Sequence, residues 1–598
     1  MKRLKLLCVL TLVGVATTAV AGPGVERAQA ALANQIDDPT PRPYGPVTVL
    51  GDSVLQGALI TSPTIVDQLA ARGWGPIKAR AGQGYNTRTS GGPAEGHASY
   101  WIDLWRSQGW DAPNVLINLG ANDSGVCDTS IACARTSIIR VLDVLGPGHR
   151  VWWPQITRHP SFQAQADTWN EALRQIDAER DDFFTWDWPS AMVANGIYAG
   201  DNTHPDAAGY RLRSQLMAVE VTADLAQAQR VGGPAPLPTA FGDPSELVPL
   251  TTERLLDTRQ GGGPVPAEGT VAISVAGEVP PGTTAVAVYV SATEPQGPGY
   301  ITAYPCDRPP PRASSANYGQ GATRGAVALV PIPGDELCLF TKATAHLVVD
   351  LQAAFVPTGA DDPNGTRLQP LATPQRLVDT RQSGRPAPSA QGMVLTVPAP
   401  AGADAVAVNL TAVGGTAGGY LTAYRCDAKR PTAAAVNHGP AENVAGAAFV
   451  PVGPGGTFCV FSRATDADIV VDLTATLSES GTGLVFTPSV PTRTIDTRDG
   501  TGGWSPAHGQ LQTIDARVAP PGAQAVSGTL TIAAPVRPGY LRAWGCGTQP
   551  DTSNVNAPPG AAFANLLTTG VDANGSLCVM ARSLTTTVFD TTGWWTAP

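Results

Sequence analysis

One short element recurs three times in the second half of this chain: Leu256-Asp257-Thr258-Arg259, Val378-Asp379-Thr380-Arg381 and Ile495-Asp496-Thr497-Arg498. The aspartates are 122 and then 117 residues apart, a period too long for a solenoid turn and about the length of a domain. Each copy repeats the same landmarks. A Gly-Tyr pair (Gly299-Tyr300, Gly419-Tyr420, Gly539-Tyr540) stands with its Tyr six residues before a cysteine. An asparagine follows that cysteine (Asn317, Asn437, Asn556). After a second cysteine comes an apolar run ending in Asp (Val349-Asp350, Val471-Asp472, Phe589-Asp590). The runs Ala285 to Ser291 and Ala405 to Thr411 alternate at period two, as half-buried strands do. These patterns predict three all-β, sandwich-like modules over 248–357, 369–478 and 485–598. The third departs most, with Gly547-Thr548-Gln549 after its cysteine and Trp594-Trp595 near its end.

Cysteine spacing agrees with that division. Cys306/Cys338, Cys426/Cys459 and Cys546/Cys578 are spaced alike, one pair per copy, and Cys127/Cys133 forms a fourth local pair upstream. Repeated pairs point to disulfides and an oxidising compartment, and no C-x-x-C or His cluster offers a zinc site. A crosslink of this kind contributes about 2 to 4 kcal/mol. The ninth cysteine, Cys8, lies in the N-terminal apolar run.

That run, Leu6 to Ala21, follows Lys2, Arg3 and Lys5 and ends in Ala19-Val20-Ala21, which is the pattern of a secretory signal peptide over 1–21. It is short for a bilayer span and nothing comparable follows, so the expectation is an exported chain with no membrane span after cleavage. A net charge of −10 without a long basic run removes the attraction that drives nucleic-acid binding. Low charge content with 65 Gly and 54 Pro suits a turn-rich extracellular or cell-wall-associated protein.

Residues 44–228 read differently. Val47 to Leu50 and Val115 to Leu119 are short apolar runs ending in Gly, and Ile138 to Leu145, Ala164 to Arg180 and Ala207 to Ala228 have helical periodicity. Strands alternating with helices predict βαβ units on a parallel sheet, whose ligands bind at the carboxyl ends of the strands. A Pro/Gly-rich linker is expected over 229–247.

Four segments of this region carry chemistry: Gly51-Asp52-Ser53-Val54, Ala81-Gly82-Gln83-Gly84, Gly120-Ala121-Asn122-Asp123 and Asp201-Asn202-Thr203-His204-Pro205. A serine hydroxyl needs a base to become a nucleophile, and neutral imidazole titrates in the right range, so Ser53 and His204 are the candidate pair. Asp201, three residues before His204, can fix the imidazole tautomer. Taken alone each segment is a turn, a loop or a helix cap, and Asp206 is a candidate cap for the last helix. Asp52 reads as a structural residue of the turn.

In this order the four segments resemble the blocks of the SGNH (GDSL-type) hydrolases, named for Ser, Gly, Asn and His; the resemblance covers about 44–225. It implies a three-layer, flavodoxin-like α/β fold, an acyl-enzyme on Ser53 and no cofactor or metal. The oxyanion hole it implies is built from Ser53, Gly82 and Asn122. Val54 stands where the name-giving motif has Leu, and no G-x-S-x-G surrounds Ser53.

The leading expectation is hydrolysis of an ester, an O-acyl group on a small molecule, a carbohydrate or a cell-wall glycan. Acyl transfer to a sugar hydroxyl and a non-catalytic surface-binding role remain open beside it. Of the nine tryptophans of this region most are expected in the core, with one or two lining a sugar-stacking cleft. His97, His149 and His159 are expected in structural roles. The Asp-Thr-Arg element reads as an internal clasp, its Asp and Arg on one face of a strand.

Overall fold

Every residue of the strands Val47–Gly51 and Asn114–Asn118 is buried, as continuous apolar runs require when a sheet is covered on both faces. The computed structural model describes residues 35–88, 94–180, 182–194, 201, 203–223, 229–230, 237–360, 362, 364–479, 483–505 and 513–598. The expected signal peptide lies outside these residues, as do 224–228 of the last expected helix. The chain divides into two compact units, Met1–Thr222 and Ala223–Pro598.

The first unit is an α/β domain. Its strands are β1 (Gln35–Asp38), β2 (Val47–Gly51), β3 (Ile77–Ala81), β4 (Asn114–Asn118), β5 (Arg150–Trp152) and β6 (Phe183–Phe184). They lie in the order β1-β3-β2-β4-β5-β6. The five from β2 onward are parallel, and their order is that of a doubly wound sheet whose topological switch falls between β2 and β4. The sheet is nevertheless mixed, which corrects the all-parallel expectation: β1 pairs antiparallel with β3 and lies before residue 44. A parallel partner needs a crossover of a dozen or more residues, whereas the chain before β2 meets the edge of β3 directly.

Helices α1 (Ser53–Ile60), α2 (Ile65–Ala71), α3 (Ala98–Ser107), α4 (Ala121–Cys127), α5 (Ile131–Leu145) and α6 (Gln163–Glu179) connect the strands from β2 to β6, and α7 (Trp188–Ala194) and α8 (Ala207–Ala223) follow β6. Ile102, Trp105, Ile138, Leu142, Trp169 and Leu173 pack α3, α5 and α6 against Val115, Ile117 and Leu119.

The second unit consists mostly of antiparallel sheets. Within the stretch expected to be linker, Gln229–Arg230 pairs with Trp504–Ser505, and Ser245 opens a long strand ending at Asp257. Strands Ala285–Thr293, Ala405–Val413 and Ala525–Ala533 are buried along nearly their whole length. The first two are expected from sequence to be half-buried; the difference lies in what covers their second face. Val286, Val288 and Val290 face a core of their own segment, with Ile301, Leu337 and Leu339 from the neighbouring sheet. Ala285, Ala287 and Tyr289 face the other way, into a core shared with Ala405, Ala407, Ala525, Phe355, Phe486 and Trp595. Small residues on that side let the sheets approach, and Trp595 fills the remaining space beside Phe486, ring centroids 4.8 Å apart.

The polar contacts of this core run in a cycle. Asn437 Nδ2 donates to Tyr289 Oη at 2.9 Å, Asn409 Nδ2 to the Ser553 carbonyl at 2.8 Å, and the Ser314 N–H to Asp590 Oδ2 at 2.9 Å. Residues 245–357 thus meet 367–478, these meet 485–596, and the last return to the first.

The Asp-Thr-Arg clasp forms across a turn at the strand end and not along a strand. Arg259 Nε donates to Asp257 Oδ1 at 2.8 Å, as do Arg381 to Asp379 and Arg498 to Asp496. A second arginine, three residues before each aspartate, completes the cluster. Arg254, Arg376 and Arg493 each grip a buried carboxylate, Asp350, Asp472 and Asp590, through Nε and Nη2; these aspartates lie within the strands His346–Pro357, Asp468–Ser478 and Thr586–Thr596, which run on past the point where the apolar runs end. The eight paired cysteines form four disulfides: Cys127–Cys133, Cys306–Cys338, Cys426–Cys459 and Cys546–Cys578. Among the described residues no helix is long and apolar enough to cross a membrane.

Candidate active site

Strand β2 ends at Gly51, and the chain turns at once into α1. Asp52 is the N-cap, its Oδ1 accepting the Val54 N–H at 3.0 Å, which makes Ser53 the first residue of the helix. The amides of a helix's first turn have no partner within the helix, so Ser53 stands where N–H groups point outward. The neighbouring strand β4 ends at Asn118 and enters α4 through Gly120. At φ +126° and with the Trp169 indole where a Cβ would sit, position 120 admits only glycine. Asn122 is the second residue of α4, so Ser53 and Asn122 follow the two strands that flank the topological switch, where such sheets hold their ligands.

His204 reaches this point from the entry to α8. Its Nε2 lies 2.9 Å from Ser53 Oγ, across 151 residues of sequence. Its Nδ1 lies 2.7 Å from Asp201 Oδ2, while Asp201 Oδ1 accepts the N–H of Thr203 at 2.9 Å and of His204 at 2.8 Å. A proton on Nδ1, shared with the carboxylate, leaves the Nε2 lone pair facing the hydroxyl, which is the tautomer a base requires. Partial burial raises the Asp201 pKa, but the imidazole N–H and the two amides outweigh it and hold the carboxyl at about 2. Asp201 therefore stays an anion down to strongly acid pH. The side chains of His204 and Asp201 are 41% and 52% exposed, so the site opens to solvent. Asp206 also caps α8, accepting the Gly209 N–H at 2.7 Å; the cap and the Ser53–His204 contact are made by different residues of one loop.

The expected oxyanion donors are placed differently. The Gly82 N–H, given to the Gly51 carbonyl at 3.2 Å, continues the β2–β3 ladder instead of pointing freely at a ligand. Asn122 Nδ2 gives one hydrogen to the Tyr85 carbonyl at 2.9 Å and carries a second. Asp123 fixes the same two loops together from below. It is buried, and its Oδ1 accepts both the Thr87 N–H at 3.0 Å and the Thr87 hydroxyl at 2.8 Å. Burial pushes its carboxyl upward against those bonds. Disulfide Cys127–Cys133 joins the end of α4 to the first turn of α5.

Two expectations about aromatic and histidine residues resolve plainly. Trp74, Trp101, Trp105, Trp152, Trp153, Trp169, Trp186 and Trp188 are buried, and Trp110 is half-buried with its Nε1 donating to Thr48 Oγ1 at 2.8 Å. The core of this sheet absorbs them. His149 is buried with Nε2 3.0 Å from Asp111, and His159 accepts the Ser161 N–H at 3.2 Å.

No protein-family model matches the chain, and no curated protein sequence does. Solved structures do resemble about 30% of it. A member of the lipolytic protein G-D-S-L family from Veillonella parvula is 19% identical over 30% of this chain and 97% of its own, with a TM-score of 0.25. Est24, a carbohydrate acetylesterase from Sinorhizobium meliloti, is 15% identical over 30% and 98%, TM-score 0.24. The C-terminal catalytic domain of Streptococcus pneumoniae peptidoglycan O-acetyltransferase A is 15% identical over 29% and 88%, TM-score 0.23. At such identity and superposition these likenesses carry no statement about activity, and the reading of the site rests on its own geometry.

Proposed function

We propose that residues 44–228 form a secreted serine esterase that hydrolyses O-acyl groups on a carbohydrate or cell-wall polymer. The observation that carries this is the line Ser53 Oγ, His204 Nε2, His204 Nδ1, Asp201 Oδ2, with links of 2.9 and 2.7 Å at the switch point of a doubly wound sheet.

In this mechanism Ser53 Oγ attacks the ester carbonyl carbon as its proton passes to His204 Nε2. The imidazolium is stabilised by Asp201, and the oxyanion is received by the amide at Ser53 and the second N–H of Asn122, with Gly82 joining if its ladder bond is shared. Collapse expels the alcohol, which takes the proton from Nε2 and leaves an acyl-Ser53 ester. Water then attacks, its proton again moving to Nε2, and the acid leaves as Ser53 recovers its hydrogen.

The openness of the site favours an ester presented on a large molecule over one swallowed whole. The repeated elements of residues 248–598 support three copies of one module that hold the chain near such a polymer and raise the local substrate concentration. Four disulfides and the N-terminal apolar run support export.

The test is turnover of p-nitrophenyl acetate, and acetate release from an O-acetylated polysaccharide, by the wild-type chain and by Ser53→Ala. Loss of both activities in the variant is expected; equal rates would overturn the assignment.

A further inference from the structure

Arg213 is the one arginine of α8 that is fully buried, only 1% exposed, and the mechanism above makes no use of it. Its guanidinium lies over the Trp188 ring, 4.2 Å from the centroid, and Nη2 donates to Asn118 Oδ1. Asn118 Nδ2 in turn donates to Asp52 Oδ1 at 3.3 Å, the oxygen that caps α1 through the Val54 N–H. A chain of buried polar contacts therefore starts on the helix that follows His204, crosses the end of β4 and finishes at the turn that holds Ser53. Among the described residues Arg213 Nε and Nη1 and Asp52 Oδ2 find no hydrogen-bond partner, and both residues line one small cavity with Thr157, Thr203, Val54 and Ala121. Those last three residues adjoin His204, Ser53 and Asn122 in sequence. Packing brings the same helices together: a Cβ at Gly57 of α1 would stand 2.0 Å from the ring of Tyr210 on α8.

A buried guanidinium is costly, and a hydrophobic side chain of similar size in its place is often neutral or stabilising. Asp52 is buried as well; desolvation raises its carboxyl to about 6, against the pull of the Val54 amide and the Arg213 charge, with Asp123 pushing the same way as burial. Each charge lowers the cost of the other.

We infer that Arg213 is a positioning residue, whose charge-assisted link through Asn118 to Asp52 holds the Ser53 turn and the His204 loop at hydrogen-bond distance. This rests on the esterase reading for its catalytic consequence but not for its geometry. The link acts across the pair of segments that are farthest apart in sequence and must meet most closely. It touches no reacting atom.

The experiment compares Arg213→Met, which keeps length without charge, with Arg213→Lys, which keeps the charge, and with the double variant Asp52→Asn/Arg213→Met, which removes both charges so that neither is left buried alone. Crystal structures of the variants that fold report the Ser53 Oγ to His204 Nε2 distance, and kinetics report kcat and KM. The expected result is a contact opened beyond 3.5 Å in Arg213→Met and in the double variant, with kcat down at least tenfold and KM within about threefold. In Arg213→Lys the contact is kept and the rate is largely rescued. A 2.9 Å contact and a wild-type rate in either charge-free protein would overturn the inference. So would equal loss in the Lys and Met variants, which would mean packing alone. If the distances respond as expected while wild-type turnover does not depend on Ser53, it is the esterase reading that fails and not this one.

Discussion

Asp201 meets His204 twice, its Oδ2 2.7 Å from the imidazole Nδ1 and its Oδ1 accepting the His204 backbone N–H at 2.8 Å. One carboxylate thus sets both the tautomer of the ring and the course of the chain that presents it. Asp201→Asn removes the charge that stabilises the imidazolium and favours the wrong tautomer, so kcat should fall by about 10² to 10⁴ with KM little changed. Steady-state kinetics on p-nitrophenyl acetate measure this, and a kcat within threefold of wild type would show that another group orients the ring.

Asn122 is expected to act on the transition state and not on the bound ester. Asn122→Ala should lower kcat by about 10² to 10³ and leave KM nearly constant. Because its first hydrogen also ties the Tyr85 carbonyl, Asn122→Asp is the sharper variant: it keeps the size, replaces the donor by an acceptor and should lose at least as much. An unchanged kcat in both would remove Asn122 from the oxyanion site.

Asp52 gives the first unit a pH dependence of definite sign. Its carboxyl is raised by burial from an ordinary 3.8 to about 6 in the folded state. Between those values the folded chain holds a proton that the unfolded chain has released, so its contribution to stability is complete below about pH 4 and is lost as the pH rises through 6. The loss is on the order of 2 to 3 kcal/mol. Asp52→Asn should abolish it: thermal unfolding of wild type and variant at pH 4 and pH 7 should show wild type losing relative stability at the higher pH. A parallel response of the two proteins would contradict the assignment.

In the second unit the two arginines of each cluster should differ sharply in weight. Arg376 binds Asp472, whose side chain is 2% exposed, and reaches Asp379 as well. Arg376→Met strands buried carboxylates and should cost about 3 to 5 kcal/mol in urea unfolding. Arg381, on the solvent side of Asp379 and 44% exposed, should cost no more than about 1 kcal/mol when changed to Ala. Equal effects would mean that burial does not govern the cluster.

Much of this architecture can be read in the chain before any coordinates. The apolar runs at Val47 and Val115 mark the two central strands, and the regular cysteine spacings suggest local pairs, which the four disulfides form. Ser53 and His204 stand out as a candidate pair because few residue types can serve as a nucleophile and its base, and the structure brings them within 2.9 Å. What escapes such reading is what depends on a second surface. Strands Ala285–Thr293 and Ala405–Val413 alternate Ala with Val, which reads as half-burial until the shared core is seen to take the alanines. The tryptophans near the site look available to a sugar until the sheet covers them. Arg213 carries no local pattern, since nothing within α8 tells that its partners sit at the ends of β2 and β4. Arg254, Arg376 and Arg493 did leave a signal, each three residues before its aspartate, recurring with the rest of the element.

The proposed esterase activity requires Ser53 to be a nucleophile activated by His204. Labelling the full-length chain with a fluorophosphonate and locating the adduct by mass spectrometry tests it most directly. The expected result is a single adduct on Ser53, abolished in Ser53→Ala and slowed at least a hundredfold in His204→Ala. Modification at another residue, or labelling of Ser53 at the same rate without His204, would contradict it.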